Sequence, residues 1–383
     1  MSRIAIIGAS YLQLPLVVKA KEMGLETHVF AWEQGAVCKE AADYFYPISV
    51  TDINSILDIC KKIKPIGVIS IASDIASVTV NHIADKFGLI GNSFESTRLS
   101  TNKFLMRTEF LNNGLPCPRF MKYTEPFNSK LMQELNYPLI VKPVDRSGSR
   151  GVTLVNEFLH LNAAIKEAEK ESFSNTVIIE EFIDGREISV ETISWEGCHY
   201  ILQYTDKETT GKPHFIEKAQ HQPAKLAPEL KNKIYQIVKH GLDTLKIKYG
   251  ASHTELKITP DDEVFIIETG PRMGGDHIGA RLVPLSTGYD YLKAVINVSM
   301  GKFEEPKLLD DKYSGIYYIF PKPGVLNAVE FNNDEHIVEY DVLINIGEIV
   351  EDIKDSSQRA AYYIYQSDYK PDFNPHALIL TTR

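Results

Sequence analysis

Hydrophobic positions in the first 95 residues change repeatedly between a strand pattern and a helix pattern. Short apolar runs alternate with amphipathic stretches, which is typical of the βαβ units of a parallel, Rossmann-like sheet. The pattern predicts strands at Arg3–Ile7, Glu26–Ala31, 67–71 and 89–91, and helices at 52–63 and 75–87. The first turn does not fit G-x-G-x-x-G, because Gly8 is followed by Ser10 and Leu12. A structural wing of a larger enzyme is therefore favoured over a dinucleotide site.

The pattern changes near residue 100, where a mixed α+β region with largely antiparallel sheets is predicted. Ser100 or Thr101 is suited to cap a helix that runs to Asn112 and stops at Gly114. Further strands are predicted at 138–143, 152–155, 177–182 and 187–193, helices at 161–170 and 228–245, a helix with a loop near 126–136, and a strand with a polar loop over 199–224. Beyond residue 302 the chain is β-rich, with strands at 315–321, 342–350 and 360–366. We expect three domains, at 1–95, 96–301 (with a central lobe at about 115–190) and 302–383.

A β-hairpin is predicted in the stretch GASHTELKITPDDEVFIIETGPRMGG, because two β-rich segments flank a Pro-Asp-Asp turn. If the turn centres on Asp261 and Asp262, the numbers of paired residues sum to 523. Glu255 then faces Glu268 across the pair. Like charges directly opposite on a sheet are destabilising, and a divalent cation held by both carboxylates would offset the repulsion. Two solvated glutamates on an exposed hairpin are the alternative, and a one-residue change in the turn would separate the pair.

The composition is that of a soluble globular protein, with 44% hydrophobic and 24% charged residues. A net charge of −10 without a basic block argues against nucleic acid as a partner, although a few lysines and a metal still make a local anion site. The four cysteines have no C-x-x-C spacing, so neither a zinc site nor a disulfide framework is expected. The first apolar run is too short for a signal peptide, and none approaches a membrane span. We therefore expect a cytoplasmic protein without a membrane partner.

Charged residues stand directly after three apolar strands of the middle region. The residues are Lys142 after LIV, Glu180 and Glu181 after VII, and Glu268 after VFII. One such residue is easily a snorkelling surface side chain, but three in one region favour a common polar cleft. Arg272 and His253 flank the hairpin glutamates. A guanidinium beside a metal site suits a carboxylate or phosphate, whereas a lone histidine is more often structural.

A small, flexible loop follows Lys142 in the segment PVDRSGSRGV. Its backbone N–H groups are able to approach an anion closely, although the spacing is not that of a P-loop. The loop residues concerned are Ser147, Gly148, Ser149 and Gly151. A plain turn is the alternative, and the lysine before the loop favours phosphate binding.

Taken in order, these motifs resemble the ATP-grasp superfamily, in particular its carboxylate–amine ligases, over essentially the whole chain. The resemblance implies a Rossmann-like wing, a two-lobed ATP clamp and a β-rich C-terminal subdomain, with ATP and Mg²⁺ or Mn²⁺ as cofactors. TNKFLMRTEFLNNGLPCPRF resembles the family's opening helix, whose lysine, here Lys103, contacts ATP. YPLIVKPVDRSGSRGV resembles the strand and loop over the phosphates, with Lys142 reaching a phosphate and the 147–151 loop closing above it.

VIIEEFIDGREISVE resembles the family's adenine-binding hinge, where Glu187 would hold the ribose hydroxyls. The residues implied in hydrogen bonds of the hinge are Glu180, Glu181, Phe182 and Ile183. HTELKITPDDEVFIIETGPRMGG resembles the metal hairpin, with Glu255 and Glu268 as ligands and Arg272 near the reacting carboxylate. The resemblance departs at Gly270, where many relatives carry an asparagine as a further metal ligand. Water or substrate in its place, a weakly bound second metal, and impaired catalysis all stay open.

The chemistry that the resemblance implies is ATP-dependent ligation of a small carboxylate, such as an amino acid, to an amine through an acyl phosphate. Lysines and Mg²⁺ would neutralise the transferred phosphoryl group, Arg272 would stabilise the acyl phosphate, and the 147–151 loop would exclude water. Dimers are common among similar proteins, so a homodimer is an expected assembly. The segment PHFIEKAQHQPAKL resembles the part of amino-acid ligases that faces the acceptor. The substrate candidates are Glu217, His221, Asp276 and His277, each of which also suits an ordinary loop.

Other functions remain open beside this one. The same fold serves nucleotide biosynthesis, with a phosphoribosyl amine as acceptor, and carboxyphosphate chemistry on bicarbonate. A non-catalytic ATP-binding module is conceivable because of Gly270. A nicotinamide-dependent oxidoreductase would bind its cofactor at residues 8–10.

Overall fold

The fold is that of a computed structural model, which describes residues 1–124, 135–211, 215–332, 334–353 and 356–383. The helix with a loop expected near 126–136 lies almost entirely outside these residues. The described strands form a parallel N-terminal sheet, a small lobe sheet, a long central sheet and a short C-terminal sheet. Within the described ranges, we find no helix that is long and apolar enough to cross a membrane.

The N-terminal sheet is parallel, as the βαβ pattern predicts, and its strand order is β3-β2-β1-β4. Its elements are β1 (Arg3–Ile7), α1 (Leu14–Glu22), β2 (Glu26–Ala31), β3 (Tyr44–Pro47), α2 (Ile53–Ile63), β4 (Gly67–Ile69) and α3 (Asp74–Phe87). The strand expected at 89–91 is wrong. A Cβ at Gly91 would lie 2.8 Å from Cβ of Ala84, so this segment packs against α3 instead of pairing with a strand.

Two helices, α4 (Phe94–Thr101) and α5 (Lys103–Asn112), replace the single helix expected from Ser100 or Thr101. The hydroxyls of Ser100 and Thr101 donate to the backbone carbonyls of Ser96 and Thr97, one turn earlier in α4. Both donor–acceptor distances are 2.7 Å. Asn102 caps α5 instead, because its Oδ1 accepts from the backbone N–H of Leu105 over 3.1 Å. The predicted end of α5 is confirmed, and the change of direction at Asn102 places Lys103 on its first turn.

The lobe sheet is antiparallel, with strand order β5-β8-β6-β7 and one covering helix. Its elements are β5 (Phe120–Lys122), β6 (Leu139–Pro143), β7 (Thr153–Val155), α6 (Leu161–Glu171) and β8 (Val177–Glu181). Apolar residues of α6 and of the strands β6, β7 and β8 form a separate core that includes Val141, Ile165 and Ile179. The lobe thus presents Lys142 and Glu180 from neighbouring strands.

The central sheet is antiparallel and has the order β13-β12-β9-β10-β11-β14-β18-β16. Its strands are β9 (Arg186–Trp195), β10 (Cys198–Thr209), β11 (Glu217–Gln222), β12 (Gly250–Ile258), β13 (Val264–Gly270), β14 (Tyr313–Ile319), β16 (Ile337–Val342) and β18 (Ala361–Ser367). The remaining elements are α7 (Pro228–Thr244), α8 (Val283–Thr287), α9 (Tyr291–Ser299), β15 (Gly324–Phe331), β17 (Ile349–Val350) and β19 (Leu378–Thr382). The single strand expected at 342–350 is wrong, because a turn separates Val342 from β17. The C-terminal strands β14, β16 and β18 extend the sheet that carries the hairpin.

Candidate active site

One cleft between the lobe sheet and the central sheet collects most of the residues that the sequence singles out. The predicted residues that line it are Lys103, Lys142, Ser147, Gly148, Ser149, Glu180, Glu181, Phe182, Ile183, Glu187, Glu217, Glu255, Glu268 and Arg272. Glu187, Glu255 and Glu268 come from the adjacent strands β9, β12 and β13. The remaining predicted residues, Gly151, His221, Asp276 and His277, are not among those lining this cleft.

The hairpin pairs Glu255 with Glu268, as predicted, but with a different turn. Near the turn, Ile258 pairs with Val264, whereas a turn centred on Asp261 and Asp262 would pair it with Phe265. The connection after Ile258 is therefore one residue shorter than predicted. A bulge between positions 255 and 256 of β12 then shifts the register by one residue and leaves Ile267 as the extra residue of β13. Because directly paired residues share a face of the sheet, both carboxylates face the cleft.

Lysines offset the repulsion between the two glutamates. Oε1 of Glu268 lies 2.7 Å from Nζ of Lys103, and Oε1 of Glu255 lies 2.7 Å from Nζ of Lys207. These contacts leave Oε2 of each glutamate as the oxygen for a cation. Among the described residues there is no group of three or more His, Cys, Asp or Glu that would hold a metal without help. The pair therefore fits Mg²⁺, which commonly takes one or two carboxylates together with substrate phosphates.

Lys103 joins the hairpin to the glycine–serine loop. Its Nζ donates to Glu268 and, over 2.6 Å, to the backbone carbonyl of Arg146, directly before the loop. Gly148, Ser149 and Gly151 have φ of 69°, 58° and 67°, a left-handed backbone that turns peptide N–H groups away from the usual strand direction. Gly151 stands at the base of the loop, where a Cβ would lie 3.0 Å from Cβ of Glu171. The loop is thus shaped to offer N–H groups at the edge of the cleft.

Glu180 is the centre of a buried ion triad that the sequence did not reveal. Its Oε1 lies 2.8 Å from Nε of Arg107, and its Oε2 lies 2.6 Å from Nζ of Lys142. Burial alone raises the pKa of Glu180, but the two cations lower it overall. Arg107 also donates to the carbonyl of the extra residue Ile267, which ties the triad to the hairpin. Arg107 lies four positions after Lys103 on α5, and this spacing, which puts both on one helix face, was the available signal.

Lys207 on β10 is a second residue that sequence reasoning missed. Its Nζ lies 2.7 Å from both Glu187 and Glu255 and 3.5 Å from Glu217. Burial opposes the charge on Lys207, but the three carboxylates raise its pKa well above the usual value. Glu187 also has its other oxygen 3.1 Å from Nζ of Lys257. The ion network therefore fixes Glu187 and Glu255 relative to each other before any ligand binds.

Arg272 lies in the cleft and is paired with a carboxylate from the N-terminal sheet. Its Nε and Nη2 donate to Oδ1 and Oδ2 of Asp74 over 2.9 Å and 3.0 Å. Burial opposes the charge on Arg272, but Asp74 raises its pKa overall. His253 lies beside this pair and bridges Glu191 and Glu255. Burial lowers the pKa of His253, but the two carboxylates raise it to about 9 overall.

The four candidate substrate residues fall into two groups. Glu217 lines the cleft, and Asp276 joins it through a shared partner, Arg359. Arg359 lies 3.0 Å from Oε2 of Glu217 and stacks 3.8 Å above the ring of Tyr318. The other group is His221, whose Nδ1 lies 2.9 Å from the hydroxyl of Tyr365, and His277. Arg359 and Tyr318 lie far along the chain from the motifs, so no local pattern predicts this contact.

His277 is buried beside Tyr11 and Tyr362, and neither ring nitrogen has a hydrogen-bond partner among the described residues. Burial lowers its pKa to about 4, although Glu339 and Asp276 oppose the shift. The unfolded chain therefore binds a proton that the folded chain excludes between about pH 4 and 6.5. The contribution to stability is complete above pH 6.5 and is lost as the pH falls through this window. The largest loss of unfolding free energy expected from this residue is about 3 kcal/mol, because each pH unit between about 4 and 6.5 contributes roughly 1.4 kcal/mol.

His277→Asn is expected to flatten the fall of the unfolding free energy between pH 6.5 and 4, measured by urea unfolding at each pH. Asparagine is suitable because it tolerates the left-handed backbone of this position, where φ is 61°. The matched control is His240→Asn on the exposed face of α7, which should leave the slope unchanged. An unchanged slope in His277→Asn would contradict the assignment.

The comparison with protein families supports the resemblance. Residues 135–280 match the family model of the ATP-grasp domain. This range contains the loop, the hinge, both hairpin glutamates and Arg272. The chain therefore carries an ATP-grasp domain at residues 135–280, and the resemblance drawn from the motifs is confirmed for this range.

Related proteins and structures agree with this assignment. The carbamoyl phosphate synthase large chain of Thermotoga petrophila is 26% identical over 295 residues, which is 74% of this chain and 25% of that protein. The alanine–anticapsin ligase of Bacillus amyloliquefaciens is 29% identical over 214 residues, 50% of this chain and 45% of that protein. The L-amino acid ligase of Bacillus licheniformis has the same fold, with a TM-score of 0.84, 23% identity and coverage of 96% and 94%. The chain thus spans about a quarter of the synthase large chains and nearly the whole length of the structural neighbour.

Proposed function

We propose that this chain, which carries an ATP-grasp domain, is an ATP-dependent carboxylate–amine ligase that forms an amide or peptide-type bond. The observation that carries the proposal is the convergence of cations and carboxylates on one cleft beside a glycine–serine loop. The groups are Lys103, Lys142, Glu255, Glu268 and Arg272. Lysines beside two facing glutamates suit a metal-bound triphosphate, and a guanidinium beside them suits a carboxylate.

The nucleotide is proposed to lie along the cleft, with its base at the hinge 180–183. Phe182 and Phe215 meet there with ring centroids 5.7 Å apart, which gives this end of the cleft an apolar wall. Glu187 is proposed to accept hydrogen bonds from the ribose hydroxyls. Both oxygens of Glu180 already face Arg107 and Lys142, so its proposed contribution at the hinge is the backbone.

The phosphates are proposed to lie between the lysines and the loop residues Ser147, Gly148, Ser149 and Gly151. Lys103 and Lys142 supply positive charge there, and the backbone N–H groups of the loop supply hydrogen bonds. Mg²⁺ held with the nucleotide by Glu255 and Glu268 would supply further neutralisation of the charge on the phosphates. Closure of the loop would exclude water, which otherwise hydrolyses an acyl phosphate.

The reaction has two steps. An oxygen of the substrate carboxylate attacks the γ-phosphorus of ATP, the bond to the bridging oxygen breaks, and ADP leaves. The amine nitrogen then attacks the acyl carbon, the bond from that carbon to the phosphate oxygen breaks, and the nitrogen releases a proton as the amide forms. Arg272 is proposed to bind the carboxylate and later the oxyanion of the tetrahedral intermediate. It is the residue proposed to act catalytically.

The substrates proposed are an amino acid or another small carboxylate and an amine. Glu217 and Asp276 are proposed to meet a substrate ammonium group, because both carboxylates converge on Arg359 at one side of the cleft. His221 and His277 are proposed as more distant substrate residues, because they contact Tyr365 and Tyr362, which do not line the cleft. The domain limits proposed are 1–95, 96–301 and 302–383, and the cellular compartment proposed is the cytoplasm.

ADP release with a matrix of amino acids and amines, with the conjugate identified by mass, tests the proposal. We expect ADP release that depends on one carboxylate, with an equal amount of conjugate when the amine is present. Bicarbonate and a phosphoribosyl amine belong in the matrix, because dependence on either would favour carboxyphosphate chemistry or nucleotide biosynthesis. Lys103→Met should abolish the signal, whereas Lys122→Met on the exposed face of β5 should keep it.

Two outcomes would overturn the proposal. Folded protein that binds no ATP in the presence of Mg²⁺ would contradict the nucleotide site itself. ATP binding without turnover on any carboxylate would favour a binding module instead of a ligase.

A further inference from the structure

The ion pair between Asp74 and Arg272 connects the N-terminal sheet to the cleft. Asp74 opens helix α3, and Arg272 follows strand β13 by two residues. The pair is bidentate, with Nε and Nη2 of the arginine facing the two oxygens of the carboxylate at 2.9 Å and 3.0 Å. Only 13% of the arginine side chain and 16% of the aspartate side chain are exposed, so the pair is largely shielded from solvent screening.

The backbone carbonyl of Met273 connects the segment before Asp74 with the side chain of Arg272. The oxygen of Met273 accepts from the N–H of Ala72 over 3.2 Å and from Nη1 of Arg272 over 3.3 Å. Ala72 has a φ of 57°, a left-handed conformation that costs free energy in an alanine and persists only where surrounding contacts hold it. The bend at Ala72 directs the start of α3, and with it Asp74, toward the cleft.

Gly270 provides the space that Asp74 occupies. A Cβ at position 270 would lie 2.7 Å from Oδ1 of Asp74 and 3.1 Å from Nε of Arg272. The contact with Oδ1 is closer than van der Waals packing allows, so a side chain at 270 would require the Asp74 carboxylate to move and would disturb the ion pair. The backbone of Gly270 is not in the left-handed region that would by itself demand glycine. The absence of a side chain at position 270 therefore leaves room for the ion pair.

The pairing also selects which edge of the guanidinium faces the ligand. An arginine has five N–H donors. Asp74 uses two of them on the Nε–Nη2 edge, and Met273 accepts one from Nη1. Two donors are left, one on each terminal nitrogen. A pair of donors on the two terminal nitrogens matches the two oxygens of a carboxylate.

We propose that Asp74 is a positioning residue for Arg272, that Gly270 is glycine in order to admit it, and that together they present the end-on edge of Arg272 to the substrate carboxylate. The proposal rests on the proposed ligase function. The ion pair thus explains why glycine stands at position 270, where many relatives carry asparagine, without requiring that catalysis be impaired. Asp74 acts through Arg272 and has no contact with the reacting atoms.

The kinetic test uses Asp74→Asn, which keeps the shape of the side chain and removes its charge. We expect kcat/KM for the carboxylate substrate to fall roughly 100-fold, because a misplaced binding group costs about that much. The rise in KM should be confined to the carboxylate, with KM for ATP within about twofold, since Arg272 holds only the carboxylate. Asp85→Asn, on the exposed face of the same helix, should behave as wild type. Equal effects of Asp74→Asn on both substrates would overturn the proposal in favour of a purely structural role.

The steric part is tested by a double-mutant cycle with Gly270→Ala and Asp74→Ala. If the two positions compete for one space, Gly270→Ala lowers the unfolding temperature and kcat/KM in the wild-type background but has little further effect once Asp74→Ala is present. Independent, additive effects would overturn the proposal. Failure of the ligase function is distinguishable, because a wild type without carboxylate-dependent turnover still gives the cycle in unfolding temperatures.

Discussion

Glu268→Ala is expected to abolish carboxylate-dependent ADP release while the protein stays folded. The change removes one of the two oxygens that face the cation and leaves the Nζ of Lys103 without its carboxylate partner at 2.7 Å. Removing one group that stabilises charge in a transition state lowers kcat by about 10²–10³-fold or more, which corresponds to about 3–4 kcal/mol. Coupled ADP release measures the loss, and circular dichroism with thermal unfolding reports the fold.

The matched control is Glu263→Ala, which removes an exposed glutamate from the turn of the same hairpin. It changes the charge by the same amount and should leave turnover within about twofold, since surface substitutions away from a site have small effects. Near-normal activity in Glu268→Ala would mean that the hairpin is only a structural element.

Glu180→Gln is expected to give the largest loss of stability. The carboxylate lies between Arg107 and Lys142, all three are buried, and an amide of the same shape would leave two unpaired cations facing each other. Breaking a buried ion pair by removing one partner costs about 3–5 kcal/mol. Urea unfolding at neutral pH measures this loss.

Glu181→Gln is the control, because the neighbouring glutamate pairs at 3.3 Å with Arg119, whose side chain is 59% exposed. An ion pair of that kind contributes about 0–1 kcal/mol. The double variant Glu180→Gln with Arg107→Met should recover part of the loss, because one of the two unpaired cations is removed. If Glu180→Gln cost no more than Glu181→Gln, the triad would not be a source of stability.

The hairpin shows how far local sequence patterns reach. Strand and turn chemistry located β12 and β13, and the pairing of Glu255 with Glu268 was correct. The turn used to obtain it was one residue too wide, and the bulge at Ile267 restored the register. The bulge is supported by a contact from another element, the hydrogen bond that Arg107 donates to the Ile267 carbonyl. The strand's own sequence therefore shows little sign of the bulge.

The residues that the sequence did not reveal are partners over long chain distances. Arg107, Lys207 and Asp74 each pair with a site residue on another element. A charged residue on a helix or strand is most often solvated, so its pattern alone does not distinguish a surface position from a buried ion pair. Asp74 is separated from Arg272 by 198 positions, and only the folded chain brings them together.

The start of α5 was missed for a local reason. Ser100, Thr101 and Asn102 are all good capping residues, and the sequence offers no way to rank them. In the structure the first two donate within α4, which leaves Asn102 as the cap and fixes Lys103 beside the cleft.

The fate of one oxygen atom shows whether the amide forms through an acyl phosphate. If the carboxylate substrate is labelled with ¹⁸O and turned over with ATP and the amine, the attacking carboxylate oxygen stays on phosphorus when the amide forms. We expect one ¹⁸O atom in the released phosphate for every conjugate formed, measured by mass spectrometry. Released phosphate without label, at normal conjugate yield, would contradict an acyl phosphate and with it the proposed reaction.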